Sequence, residues 1–311
     1  MTFDVIAVVG PTASGKTDIS VKIAELLNGE IISADSRLVY KDFNIGTAKP
    51  TKEERRGIPH YMIDVQNPRE TYTVGKYKND ASEIVKEILK NNKVPIVAGG
   101  TGFYVKALLE GLDIPAIDPD AEFRNEMNQL IRIKGKDALY ATLQHFDPVT
   151  AEKLHPNDTF RIIRALEVQH VTGQPMSEIK SMSKPEYNVL YIGLNATDRE
   201  FLYDRINLRV LKMMEMGLVE EVKRLIIQHG RTVSLMKTLG YREICEVFDG
   251  VCSMDKAVEK IRKNTRNFAK RQLTWFRANK NINWFYIDEQ DQDEICRAVA
   301  EKFRTENRVA Q

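Results

Sequence analysis

Cysteine is scarce in this 311-residue chain: Cys245, Cys252 and Cys296 are the only three, and no two are spaced as Cys-x-x-Cys. The five histidines, His60, His145, His155, His170 and His229, are scattered. Neither a disulfide framework nor a structural zinc site is encoded, and the thiols are expected to be reduced and packed. Long apolar runs are missing too. Nothing approaches the ~18 consecutive apolar residues that a membrane span needs, and the first residues lack a basic flank followed by an apolar stretch. The expectation is a cytoplasmic chain with no membrane partner. Net charge is almost absent, at +2 from 46 basic and 44 acidic residues. With 42% hydrophobic and 29% charged residues, the composition excludes a disordered or fibrous chain. At roughly 150 residues per domain, the length allows about two domains and a core that needs no metal or disulfide to hold it.

The small net charge conceals one uneven segment. From Lys256 to Lys280 stand nine basic residues (Lys256, Lys260, Arg262, Lys263, Arg266, Lys270, Arg271, Arg277, Lys280) and one acid, Glu259. A solvated helix face and a polyanion-binding surface both fit such a run.

Asp4 to Val9 is a short apolar run ending at Gly10, after which Ile19, Ile23, Leu26 and Leu27 recur at helical spacing until Asn28-Gly29. Glu30 to Ala34 reads as a second strand. A helical stretch with Val85, Ile88 and Leu89 then precedes a third, Val94 to Ala98. This alternation predicts a parallel sheet with crossover helices. From about residue 113 to 188 the pattern is helical and broken at Asp147-Pro148, His155-Pro156 and Gly173-Gln174-Pro175, and the strand-like Val189 to Leu194 follows. The expected fold is therefore α/β: a P-loop parallel-sheet core with helices on both faces, residues 1–112 and 189–311, interrupted by a helical insertion domain, residues 113–188. Thr197-Asp198-Arg199-Glu200 reads as a capping box opening a helix through Leu211.

Gly10-Pro11-Thr12-Ala13-Ser14-Gly15-Lys16-Thr17 fits G-x-x-x-x-G-K-[ST] and lies between a strand and a helix. Backbone N–H groups at such a turn curl around phosphate oxygens, Lys16 adds a cation, and the Thr17 hydroxyl can hold Mg²⁺. Asp35 follows the second strand. In an open parallel sheet it shares a crevice with the phosphate loop, as a base, a magnesium ligand or a helix N-cap. The third strand ends in Gly99-Gly100-Thr101-Gly102, where a nucleotidase would carry a Walker-B aspartate. Thr101 offers a neutral hydrogen bond there, and the glycines also suit a turn that admits close helix packing.

Several blocks together carry a family resemblance. They are Gly10 to Thr17, Asp35-Ser36, Gly46-Thr47-Ala48-Lys49-Pro50, Gly99 to Tyr104, His155-Pro156-Asn157-Asp158, Arg161 to Val168, Gly240-Tyr241-Arg242 and Ala269 to Arg277. In this order the chain resembles the tRNA dimethylallyltransferase family, also called tRNA isopentenylpyrophosphate transferases. The resemblance implies transfer of a dimethylallyl group from dimethylallyl diphosphate to N6 of adenosine 37 in a tRNA anticodon stem-loop. It implies that Gly10 to Thr17 hold the diphosphate, with Mg²⁺ at Thr17. Asp35 would accept the N6 proton, Thr101 would lie at the bridging oxygen, and Arg205 or Arg209, i and i+4 on one helix, would bind diphosphate, with Arg209 favoured. It implies tRNA contacts at Asp35, Ser36, Arg37, Leu38, Thr101, Phe123, Phe160, Arg161, Ile162, Ile163, Arg164, Lys237, Gly240, Tyr241, Arg242, Lys270 and Arg271, with the insertion as a tRNA-clamping arm. The adenine must be flipped out of its stack, and the basic run with Phe268, Trp275 and Phe276 is available to the RNA.

Leu38 and Phe160 stand where the family usually shows glutamine, which reads adenine's edge by paired hydrogen bonds that neither can make. The two-cysteine, two-histidine finger of some eukaryotic relatives is absent. The expectation is a magnesium-dependent monomer acting on tRNA. An adenylate dimethylallyltransferase, a small-molecule kinase and a non-catalytic RNA-binding module are the alternatives.

Overall fold

The computed structural model describes residues 2–114, 117, 119–179 and 182–308. The apolar run at the start forms β1 (Val5–Val9), all five residues buried, as a central parallel strand covered on both faces requires. α1 (Lys16–Leu27) begins after Gly15, whose φ is 81°, and stops at Asn28 in the left-handed conformation. β2 (Gly29–Ser33), the two-residue β3 (His60–Tyr61), α2 (Val74–Lys90), β4 (Val94–Gly99) and α3 (Gly102–Leu109) complete the first part of the core. Thr73 caps α2, its Oγ1 accepting from Lys76 N at 3.2 Å.

The chain divides into two compact units, Met1–Glu110 with Pro185–Gln311, and Gly111–Lys184. The smaller unit holds α4 (Ala121–Phe146), broken at Gly135, α5 (Pro148–Lys153) and α6 (Thr159–Thr172), with a 3₁₀ turn at Met176–Glu178. Asp120, Asp147 and Asp158 each accept a backbone N–H at a helix start. Leu139, Leu143, Ala151, Ile162, Ile163, Ala165 and Leu166 form this unit's own core. Buried beside them, Glu167 receives Arg124 Nε at 2.6 Å, Arg164 NH1 at 2.6 Å and the Asp120 N–H at 2.8 Å. Burial alone would raise its pKa, yet these bonds bring it down to about 2.

The larger unit resumes with β5 (Val189–Asn195), α7 (Arg199–Glu215), α8 (Leu218–His229), α9 (Val233–Met236), α10 (Tyr241–Phe248), α11 (Met254–Arg277), β6 (Asn283–Tyr286) and α12 (Gln292–Arg308). The six strands are all parallel, in the order β3-β2-β4-β1-β5-β6. Alternate side chains divide between two layers. Ile6 and Val8 join Ile19 and Ile23 of α1 and Ile295 and Val299 of α12 on one face. Val5, Ala7 and Val9 join Tyr77 and Val85 of α2, Tyr104 of α3, Val222 of α8 and Phe276 of α11 on the other.

Two local expectations change. The edge strands β3 and β6 were not evident from hydrophobic pattern, because one has two residues and the other, Asn283-Trp284-Phe285-Tyr286, is only half-buried. The cap of α7 is Asp198, which accepts from Glu200 N at 2.9 Å. Thr197, expected to cap it, instead donates its hydroxyl to Asp288 at 2.7 Å, fastening the helix start to the segment after β6. The three cysteines are unpaired, and Cys245 and Cys296 are buried. Among the described residues no helix is long and apolar enough to cross a membrane.

Candidate active site

Parallel pairing places Val9 opposite both Gly99 and Gly193, and Ser33 opposite Ala98, so the carboxyl ends of β2, β4, β1 and β5 lie side by side. Four adjacent chain segments leave the sheet at this edge, the usual location of a ligand crevice in open α/β sheets.

The loop from β1 to α1 must begin with glycine. At Gly10 φ is 147°, and a Cβ there would lie 2.4 Å from Leu194 O. Within the loop Ser14, 1% exposed, donates its hydroxyl to Pro11 O at 2.9 Å. Lys16 Nζ donates to the same oxygen at 2.6 Å. From α7, Arg205 Nε donates to Ala13 O at 2.8 Å and Arg209 NH1 to Thr12 Oγ1 at 3.3 Å. Both arginines thus reach the loop, the half-buried Arg209 and the exposed Arg205 one turn apart on one helix face. All three cations spend these bonds on neutral oxygens. Burial and then the charge of Arg209 lower the Lys16 pKa to about 7, against an opposing pull from Asp35. Burial likewise lowers that of Arg209, with Asp35 again opposing. Such a cluster is short of negative charge, and an anion there relieves it.

Asp35 is half-buried beyond the end of β2. Its Oδ1 accepts the Arg37 N–H at 2.7 Å, and the residues that follow form turns rather than a helix. The carboxylate therefore closes an Asx-type turn, and the helix N-cap alternative does not apply. Ser36 N donates to Thr101 Oγ1 at 3.0 Å, and Thr101 N donates to Ala34 O at 3.0 Å. Asp35 and Thr101 are in this way held on neighbouring strand tips. The electrostatic influence of Asp35 on Lys16 and Arg209 puts it in the same crevice as the phosphate loop. It also bears on Tyr77 and Tyr104, whose rings stack with centroids 3.9 Å apart. The Tyr77 hydroxyl is buried without a hydrogen-bond partner.

The glycine turn after β4 also serves packing. A Cβ on Gly100 would lie 2.1 Å from Gln272 Nε2, and one on Gly102 would lie 2.1 Å from Trp275, so α11 sits directly on this turn. Gln272 and Tyr77 are site residues that no motif chemistry pointed to. Gln272 lies inside a matched block, but nothing in that block assigns it an inward face.

The expected RNA contacts sort by exposure. Lys237, Lys270 and Arg271 are exposed. On α11 so are Lys256, Lys260, Lys263 and Arg277, which makes this helix a basic surface with Ala257, Ile261, Ala269, Gln272 and Phe276 inward. Lys270 lies over the Tyr203 ring and Arg271 over Phe268. Trp275 remains 42% exposed and meets Phe103 edge-on. Arg37 reaches Ser234 O, and Ser36 and Leu38 are half-buried. Arg242 pairs with Glu243, whose carboxylate also accepts the N–H of the buried Gly240.

Tyr241, also expected to touch RNA, has its side chain in the core. It is fully buried, donating to Glu221 at 2.6 Å and packed edge-on against Phe43. In the smaller unit, Phe160 is 68% exposed, Arg161 is exposed and Phe123 stacks on His170. Ile162 and Ile163, at 0% and 8% exposure, are core side chains there, and Arg164 is committed to Glu167. These three were also expected to touch RNA; in the structure packing and an ion pair engage their side chains.

A Mg²⁺ ion would find a sparse protein donor set. Among the described residues no group of three His, Cys, Asp or Glu side chains could hold a metal. Thr17 is exposed at the start of α1. One hydroxyl beside a phosphate loop does fit Mg²⁺, which keeps waters and takes its remaining ligands from substrate phosphates.

Residues 38–279 match the family model described as IPP transferase. The tRNA dimethylallyltransferase of Thermoanaerobacter sp. (strain X514) is 47% identical over 294 residues, 93% of each chain. The crystal structure of the full-length tRNA isopentenylpyrophosphate transferase of Bacillus halodurans superimposes with a TM-score of 0.73 at 38% identity, covering 99% of both chains. A eukaryotic dimethylallyltransferase described as acting on tRNA superimposes with a TM-score of 0.76 at 28% identity, over 92% of this chain and 75% of that one.

Proposed function

Because the chain belongs to the IPP transferase family, we infer that it is a tRNA dimethylallyltransferase. It moves a dimethylallyl group from dimethylallyl diphosphate to N6 of adenosine 37 in tRNA and releases diphosphate. One observation carries the reading at the level of residues: three cations gather on the Gly10–Thr17 loop at one edge of the sheet, and two of them, Lys16 and Arg209, lie within electrostatic reach of Asp35.

The diphosphate is bound by loop N–H groups at the start of α1, with Lys16, Arg205 and Arg209 neutralising the charge that grows as the carbon–oxygen bond breaks. The Thr17 hydroxyl would hold Mg²⁺ together with phosphate oxygens, and the ion would add to this neutralisation. Thr101 offers its hydroxyl to the bridging oxygen. The N6 nitrogen forms a bond to the allylic carbon and its proton passes to Asp35. An exocyclic amine is a poor nucleophile, so the base must already stand within hydrogen-bond reach. The Asx-type turn that pins the Asp35 carboxylate supports this role.

The adenine is flipped out of the anticodon loop at a cost of a few kcal/mol. The basic face of α11 and the exposed Phe160 and Arg161 of the insertion unit contribute RNA contacts that repay it. The enzyme works in the cytoplasm as a monomer. Each relative described above carries dimethylallyl or isopentenyl transfer and tRNA in its description, and nothing found favours a free adenylate substrate or a kinase.

The test is incubation with dimethylallyl diphosphate, Mg²⁺ and an anticodon stem-loop containing A-A-A, followed by mass measurement of the RNA. Gain of one dimethylallyl group is expected. Prenylation of AMP with the RNA unmodified would overturn the reading.

A further inference from the structure

Gln272 is 5% exposed on the inward face of α11, while its neighbours Lys270 and Arg271 face solvent. Its Oε1 accepts the Thr12 N–H at 2.8 Å and its Nε2 donates to Gly100 O at 2.9 Å. Thr12 belongs to the phosphate loop. Gly100 immediately precedes Thr101. The β1–β4 ladder ends at the pair Val9 and Gly99, and beyond it this one side chain joins the two loops. A primary amide accepts and donates at once; a carboxylate cannot donate, and an aliphatic chain does neither. The close approach is built in, since any side chain on Gly100 would collide with the amide. Thr12 is held from α7 as well, through Arg209 on its hydroxyl.

We propose that Gln272 is a positioning residue for prenyl transfer, holding the phosphate loop and the Thr101 turn in register. The inference rests on the reading of the site as one for a prenyl diphosphate. The bond that breaks is anchored by the phosphate loop, whereas the group that takes the proton, Asp35, is tied through Ser36 to Thr101. Relative movement of the two loops would separate the leaving oxygen from the base, and a displacement of ~1 Å can cost about 10²-fold in rate. Gln272 touches neither reacting atom. It sets the distance between the groups that do.

The experiment uses the full chain as wild type, Q272L and Q272E, each assayed well below its own melting temperature. Steady-state kcat and KM for dimethylallyl diphosphate are measured with the stem-loop RNA, RNA Kd by anisotropy, and inorganic pyrophosphate Kd with Mg²⁺ by calorimetry. Q272L should lose at least about tenfold in kcat with a raised KM for dimethylallyl diphosphate and a weaker pyrophosphate Kd, while RNA Kd stays within about twofold. Q272E keeps the shape but faces Gly100 O without a proton, and it should not recover kcat. A loss carried only by RNA Kd, kinetics within about twofold of wild type in both variants, or failure of both variants to fold would each overturn the proposal. A wild type that binds pyrophosphate yet prenylates no RNA would instead sink the underlying functional reading.

Discussion

The backbone N–H of Ser36 donates to Thr101 Oγ1 at 3.0 Å across 65 residues of sequence, joining the tip of β2 to the tip of β4. Asp35, one residue earlier, has its carboxylate fixed by the Arg37 N–H at 2.7 Å. The acid and the hydroxyl consequently stand on two strand tips braced against each other, oriented before any substrate arrives. Such preorganisation is what a proton acceptor for a weak nucleophile requires.

Asp35→Asn keeps the bond to Arg37 and removes only the basic oxygen. Turnover should fall by about 10²-fold or more while RNA Kd changes by less than about twofold. Single-turnover prenylation followed by mass, alongside anisotropy, separates the two. A rate within about fivefold of wild type would remove Asp35 as the base.

Lys16 gives the site a pH dependence. Its pKa is about 7 in the folded chain, against an ordinary value of 10.5. Between these values the unfolded state binds the extra proton, so this group makes stability rise as pH increases from about 7 towards 10.5, and that contribution is lost as pH falls through 7. Anion binding reverses the preference by favouring the charged amine. Pyrophosphate binding at pH 8 should therefore take up protons and weaken as pH rises further. Calorimetry in buffers of different ionisation enthalpy measures the uptake; proton release would contradict it.

Lys270→Ala and Arg271→Ala remove exposed charges from α11. If each meets a phosphate, each variant should weaken stem-loop binding and reduce the slope of log K against log salt by about 1. Pyrophosphate affinity should not change. An unaltered slope would mark this face as merely solvated.

Glu167→Gln leaves Arg124 and Arg164 without their shared buried carboxylate. A loss of about 3 kcal/mol from the insertion unit is expected, seen as faster amide exchange across α4 and α6. The Glu167 contribution should also fade as pH drops from the ordinary carboxylate range towards about 2. Pyrophosphate binding, proposed for the larger unit, should persist in the variant.

Tyr77→Phe deletes a buried hydroxyl that has no hydrogen-bond partner. Burial of such a group costs about 1–3 kcal/mol, so the variant should melt at a higher temperature. A lower melting temperature by calorimetry would show that the hydroxyl is satisfied in solution.

The phosphate loop was readable from eight consecutive residues, because its determinants are local: an apolar strand, a glycine with positive φ, a cation and a helix start. Asp35 and Thr101 were readable through topology alone, since parallel strands deliver their carboxyl ends to one edge. Which side of each helix turns inward was decided only in three dimensions. Lys270 and Gln272 are two residues apart, yet one meets solvent and the other braces two loops. Ile162 and Ile163 follow the exposed Arg161 and are core, and Tyr241 is core beside the half-buried Arg242. Consecutive helical side chains point about 100° apart, so a stretch of sequence can name a functional segment while tertiary packing assigns each residue its side. The two edge strands escaped for a related reason: β3 and β6 have little hydrophobic pattern of their own and exist because β2 and β5 present free backbone groups to pair with.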